Sequence, residues 1–163
     1  FEVPLGEVAS AAAALEPMPH RGEVRRLSGG VTVIDDSYNS NPVALARALD
    51  LLGGERQARR RIAVVGEMLE LGERSTALHE ECGRAAAPLV DRLVTVGGEP
   101  ARALGRAAVE GGLPETAVRH AATSLEAADI VAELVAPGDL VLVKGSRGIR
   151  TELVVARLAA EFA

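Results

Sequence analysis

Four short apolar runs recur along the chain: "VTVID" from Val31, "IAVVG" from Ile62, "LVTVG" from Leu93 and "LVLVKG" from Leu140. The last three are continuous rather than alternating, as expected for strands buried on both faces of a parallel sheet. Between the runs the apolar spacing becomes helical. Leu45, Leu49 and Leu52 share one face, Asn41 followed by Pro42 supplies a cap and a first-turn proline, and Gly53-Gly54 is expected to stop that helix. Later helices are predicted over about Arg74 to Ala87, Pro100 to Glu110, Ser124 to Val135 and Ile149 to Phe162, the last with Ile149, Leu153, Ala156 and Ala160 in a stripe. A fifth strand fits "AVRHA" at Ala117, and "EVRRL", Ser28-Gly29-Gly30 and "VTVID" read as a hairpin that adds one antiparallel strand. The fold class is therefore α/β: an open, mostly parallel sheet with helices on both faces and one N-terminal antiparallel strand. No internal repeat, low-complexity segment or second domain interrupts the pattern, and a single domain is expected over residues 1–163.

Composition adds constraints. Nearly half the residues are apolar, yet the only aromatics are Phe1, Tyr38 and Phe162, so the core must be built from Val, Leu, Ile and Ala. No run of about 20 apolar residues occurs, and "FEVPLGEVASAAAALEP" lacks a basic leader, which points to a soluble, cytoplasmic protein without membrane insertion. The lone Cys82 excludes an internal disulfide and reads as a packing residue on a helix rather than a nucleophile. A net charge of -5 with dispersed basic residues argues against a nucleic-acid surface. The chain starts with Phe1 rather than Met, as a piece of a longer polypeptide would, and a missing portion is expected.

In open α/β sheets ligands bind beyond the carboxyl ends of the strands, so "DDSYN", "GEMLELG", "GGEP" and "KGSRG" are the places to search for chemistry. Asp35 and Asp36 could share a hard cation such as Mg2+, or could serve only as turn residues that bind nearby backbone. Asp36 with Asn39 suits a ribose, since a carboxylate accepts from vicinal hydroxyls while an amide both donates and accepts. "KGSRG" offers Lys144, Ser146 and Arg147 at a strand end entering a helix, either an anion site for a carboxylate or phosphate or a solvated basic turn. His20 and Arg21 of "PHRGE" read by spacing as surface residues. No Walker A loop and no GxGxxG occur, and His20, His79 and His120 lack zinc-ligand spacing. A phosphoacceptor receiver domain also has an acidic pair and a late lysine, but it needs an aspartate after its third parallel strand. "LVTVGGEP" has none, and "IAVVGEM" offers Glu67 instead.

Together, "PHRGE", "GVTVIDDSYNSNP", "VVGEMLELGERS", "LHEECG" and "LVLVKGSRGIRTELVV" resemble, in order and spacing, the C-terminal domain of the Mur ligases over roughly residues 17 to 160. The nearest branch is the one that adds D-alanyl-D-alanine to UDP-N-acetylmuramoyl-tripeptide in peptidoglycan synthesis. The resemblance implies a Rossmann-like domain of a three-domain, ATP-dependent amide ligase that works through an acyl phosphate. The partners it implies are the UDP-sugar tripeptide, the dipeptide, and the enzyme's own precursor-binding and central ATPase domains. ATP and Mg2+ are the implied cofactors, the metal bound mainly by the central domain. By the same resemblance Arg21 reaches ATP phosphates on domain closure, Asp36 and Asn39 face the ribose and adenine side of the nucleotide, and Lys144, Ser146 and Arg147 lie where the acceptor is recognised. No catalytic group and no metal ligand is expected in this domain, and Glu67, where the family often has Asp, is expected to be structural. His20 stands where the branch has glycine. Lacking a P-loop, the chain is expected to be inactive alone. The alternatives are a domain of another Mur-type ligase or a folylpolyglutamate synthase, and a freestanding non-catalytic binding module.

Overall fold

The computed structural model describes residues 4, 6, 7 and 18–163. The other residues of the single domain expected over 1–163 lie outside the described residues. Six strands, β1 (Glu23–Arg26), β2 (Thr32–Asp36), β3 (Arg61–Gly66), β4 (Arg92–Val96), β5 (Val118–Ala121) and β6 (Leu140–Lys144), form one sheet in the order β1-β2-β6-β3-β4-β5. β1 runs antiparallel to β2 and every other pairing is parallel. Among the described residues four helices connect them, α1 (Pro42–Gly54), α2 (Ser75–Ala86), α3 (Glu99–Glu110) and α4 (Ser124–Leu134), and α5 (Glu152–Glu161) follows β6. The predicted α/β sheet with its antiparallel hairpin is what forms.

The continuous apolar runs explain the layering. Alternate residues of a strand face opposite sides, and β3 feeds both cores. Ala63 and Val65 join Leu45, Leu49, Leu52 and Leu104 on the face covered by α1, α2 and α3. Ile62 and Val64 join Val131, Val154 and Leu158 beneath α4 and α5. The chain moves outward through β3, β4 and β5, then returns on the other face to insert β6 between β2 and β3. The insertion makes a topological switch beside β2, and the pairing register sets Asp36 directly across from Lys144.

Two expectations about helices are corrected. Gly53 and Gly54 do not stop α1 but form its last turn, and Glu55 follows as an extended cap. A Cβ at Gly53 would lie 2.7 Å from Leu89 Cδ2, so this glycine makes room for a neighbour. The last helix does not begin at Ile149. A short 3-10 turn covers Arg147–Ile149, Arg150 adopts a left-handed conformation with φ 65°, and α5 starts at Glu152. That break resets the helical phase: Val154, Val155 and Leu158 are buried, while Ala156 and Ala160 of the predicted stripe are exposed.

Candidate functional site

At the carboxyl ends of β2 and β6 lies a cleft of about 330 Å³ lined by Arg21, Asp36, Tyr38, Asn39 and Lys144, with α1 beginning at its rim. The local sequence builds it in a few steps. β2 ends at Asp36, Ser37 to Asn41 turn the chain, and the Asn41 side chain accepts from the Ala44 N–H to cap α1, with Pro42 in its first turn. The turn thus leaves Asp36 half-buried and Asn39 exposed at the opening. Asn39 Oδ1 accepts from the Ser40 N–H at 2.8 Å, which leaves its NH2 for a ligand.

The two aspartates do not work as a pair. Adjacent positions in a strand project to opposite faces, and Asp35 is fully buried. Its Oδ2 is 2.8 Å from His20 Nδ1, and its Oδ1 accepts from the Ser37 hydroxyl at 2.6 Å. The result is a brace that fixes the segment before β1 against the turn after β2, helped by the Tyr38 N–H donating to the His20 carbonyl. His20 takes φ 63°, the left-handed region where glycine is the easier residue. Arg21 follows, with its guanidinium 4.2 Å above the centre of the Tyr38 ring.

Lys144, Ser146 and Arg147 do not form one cluster. The Lys144 ammonium donates to Asp36 Oδ2 at 2.6 Å and to the Asn39 carbonyl at 2.8 Å, so it belongs to the cleft. Ser146 is buried, and its hydroxyl accepts from the Leu69 N–H at 2.9 Å, tethering the loop after β3. Arg147 alone of the three is free to meet a ligand: its side chain is 60% exposed and its guanidinium lies 3.7 Å from Glu152. It also lies 5.9 Å from the Tyr38 ring. A 3-10 turn follows β6 and α5 starts only at Glu152, so the helix start expected directly after the lysine does not form there.

The other motif residues are structural. Glu67 Oε2 accepts from the Gly98 N–H at 2.6 Å, joining the β3 loop to the start of α3. The buried His79 accepts from the Met68 N–H through Nε2 at 2.9 Å and donates from Nδ1 to the Ser75 carbonyl at 2.7 Å. Cys82 is buried, and burial, with Glu81 second, pushes its thiol up to about 11, as suits a packing residue. A larger cavity of about 430 Å³ lies at the amino ends of β2 and β6, lined in part by Val24, Arg26, Glu55 and Asp139. Its one buried carboxylate, Asp139, is already taken by Arg60 and the Ala136 N–H, and the cavity is at the end of the sheet away from the candidate residues. The smaller cleft is therefore the better site. Tyr38, whose ring both Arg21 and Arg147 approach, was not singled out from the sequence; its being the only tyrosine, placed between Asp36 and Asn39, was the available signal. Among the described residues no helix is long and apolar enough to cross a membrane.

Comparison with known proteins shows the family. The family model described as Mur ligase, glutamate ligase domain, matches residues 20–147. The UDP-N-acetylmuramoyl-tripeptide--D-alanyl-D-alanine ligase of Mycobacterium leprae is 41% identical over 158 residues, 88% of this chain and 31% of that protein. The ligase of the same name from Mycobacterium tuberculosis strain H37Rv is 39% identical, over 95% of this chain and 34% of its own. Among solved structures, MurF ligase from Thermotoga maritima in complex with ADP superposes with a TM-score of 0.75 at 28% identity, over 97% of this chain and 36% of that one. A crystal structure of MurF from Acinetobacter baumannii gives 0.80 at 29% identity, over 97% and 34%. The chain spans about a third of the length of the curated relatives it matches. With the family model matched across the sheet and the cleft alike, the chain belongs to the Mur ligase family, as its C-terminal, glutamate ligase domain.

Proposed function

We propose that this chain is the C-terminal domain of a cytoplasmic, ATP-dependent ligase that joins D-alanyl-D-alanine to UDP-N-acetylmuramoyl-tripeptide through an acyl phosphate. The observation that carries the reading is the convergence of Arg21, Asp36 and Asn39 on one cleft at the switch point of the sheet. In this reading the Asp36 carboxylate accepts from a ribose hydroxyl and the Asn39 NH2 reaches the ribose or the base. Arg21, a permanently charged fork held over Tyr38, binds phosphate oxygens. Arg147, 5.9 Å from the Tyr38 ring, takes the carboxylate of the incoming dipeptide, with Ser146 holding the loop that presents it. The domain contributes contacts rather than a catalytic group. The chemistry is completed when it closes over precursor-binding and ATPase domains of the same polypeptide.

Mg2+ would screen the phosphate charges when bound. The donor set here does not suit it: Asp35 is taken by His20 and Ser37, Asp36 by Lys144, and no group of three or more His, Cys, Asp or Glu able to hold a metal occurs among the described residues. The metal is accordingly assigned to ligands outside this domain.

The test uses the full-length ligase. Asp36→Ala should raise the KM for ATP roughly tenfold or more, the value of one hydrogen bond to a charged group, and leave the KM for the UDP precursor nearly unchanged. Arg147→Ala should weaken use of the dipeptide selectively. Unchanged ATP kinetics in the first variant would sink the nucleotide assignment, and a loss confined to ATP in the second would reassign Arg147.

A further inference from the structure

We infer that Lys144 is a positioning residue for the nucleotide and not a ligand of the acceptor. The inference rests on the reading of Asp36 and Asn39 as ribose-facing groups. The Lys144 side chain is 3% exposed, and an ammonium removed from water to that degree persists only if its donors are engaged. Two of its three donors are engaged within the cleft, at 2.6 Å on Asp36 Oδ2 and 2.8 Å on the Asn39 carbonyl. The first bond occupies one carboxylate oxygen and leaves the other to accept from a ligand. The second bond clamps the turn that carries the Asn39 amide. One buried cation therefore orients both residues assigned to the ribose.

The anchor is rigid because β6 is an interior strand, hydrogen-bonded to β2 on one side and to β3 on the other. Only 3% exposed, Lys144 could meet a dipeptide carboxylate outside the cleft only by moving away from Asp36, abandoning a carboxylate that is itself 26% exposed. Arg147, with its 60% exposed side chain, can reach the same ligand at no such cost.

The experiment compares ATP, 2′-deoxy-ATP, 3′-deoxy-ATP and the dipeptide as variable substrates of the full-length ligase carrying Lys144→Met, Asp36→Asn or both. Lys144→Met should raise the KM for ATP about tenfold, change kcat and the dipeptide KM far less, and erase the preference for ATP over the deoxy analogue that the unmodified enzyme rejects. The double variant should be no worse than the poorer single one, since both remove the same interaction. A raised dipeptide KM with the ATP preference intact overturns the inference. If Asp36→Asn erases the preference and Lys144→Met does not, the inference about Lys144 fails while the nucleotide reading stands. If Asp36→Asn leaves the preference intact, the nucleotide reading itself fails, and this inference with it. Lys144→Gln, which keeps a donor, is read by the same ratio should the methionine variant fold poorly. A loss that lowers every rate alike and leaves the ratio unchanged counts against positioning.

Discussion

At the scale of single residues, His20 joins a left-handed backbone to a bond with a buried carboxylate. Its φ of 63° belongs to a region where a Cβ costs roughly 1–2 kcal/mol, so glycine would be the easy choice. The imidazole offsets that cost by bonding the buried Asp35 carboxylate. His20→Gly should accordingly change stability by no more than about 1 kcal/mol, because strain and bond are lost together. His20→Ala keeps the strain and loses the bond, and should be less stable than the glycine variant by about 1–2 kcal/mol in urea unfolding. Equal stabilities would show that the backbone there carries no strain. The residue types of the site were readable from the sequence: Asp36 and Asn39 on a bend, and Arg21 by resemblance. Their environments were not. Asp35 and Asp36 are neighbours of identical chemistry, and only their opposite orientations separate a brace from a cleft residue. Lys144 was grouped with Ser146 and Arg147 because they are adjacent in the chain, whereas its partners are 108 and 105 residues away.

At the scale of elements, helix boundaries marked by local chemistry were legible, and those set by neighbours or by a backbone break were not. Asn41 and Pro42 act through local geometry that a sequence displays directly, and α1 begins where they place it. Two other boundaries show no such signal. Gly53 lies inside its helix and is a glycine because Leu89 leaves no room for a Cβ, and the predicted stripe of the last helix is out of phase because Arg150 interrupts the chain before it. The "LHEECG" motif has the same origin. A Cβ on Gly83 would lie 2.1 Å from the Leu104 carbonyl oxygen, so glycine is what lets α2 and α3 approach. Gly83→Ala should destabilise the domain by roughly 1–3 kcal/mol, since relief requires backbone movement. A melting temperature equal to that of the unmodified chain would mean that the two helices are free to separate.

At the scale of the whole molecule, stability should fall in acid in two stages. His120 on β5 has its pKa lowered from the ordinary 6.5, by burial first and then by Arg102, against the opposing pull of Glu126 and Glu99. The unfolded chain therefore takes up this proton at a higher pH than the native protein does. The contribution of His120 is full above about pH 6.5 and declines as pH falls through its folded pKa. Asp91 is also lowered, chiefly by the side-chain hydrogen bond from Arg61, and its contribution is lost only further into acid, as pH falls through its own folded value. The urea midpoint should thus begin to drop below about pH 6.5 and drop again below about pH 4. His120→Gln should reduce the first drop and leave the second. A first drop of full size in that variant would assign it to other groups.

The sequence by itself determined the alternation of strands and helices, the two-faced burial of the central strands and the kinds of group at their carboxyl ends. Hydrophobic period and turn chemistry are local properties, written within a dozen neighbouring residues. Only the tertiary structure decided that β6 returns to lie between β2 and β3, and strand order depends on pairing between distant segments rather than on any segment's own pattern. That choice of neighbour sets Lys144 across from Asp36. It thereby gathers a lysine, an aspartate and an asparagine turn into one cleft and leaves Arg147 outside its lining, near the Tyr38 ring.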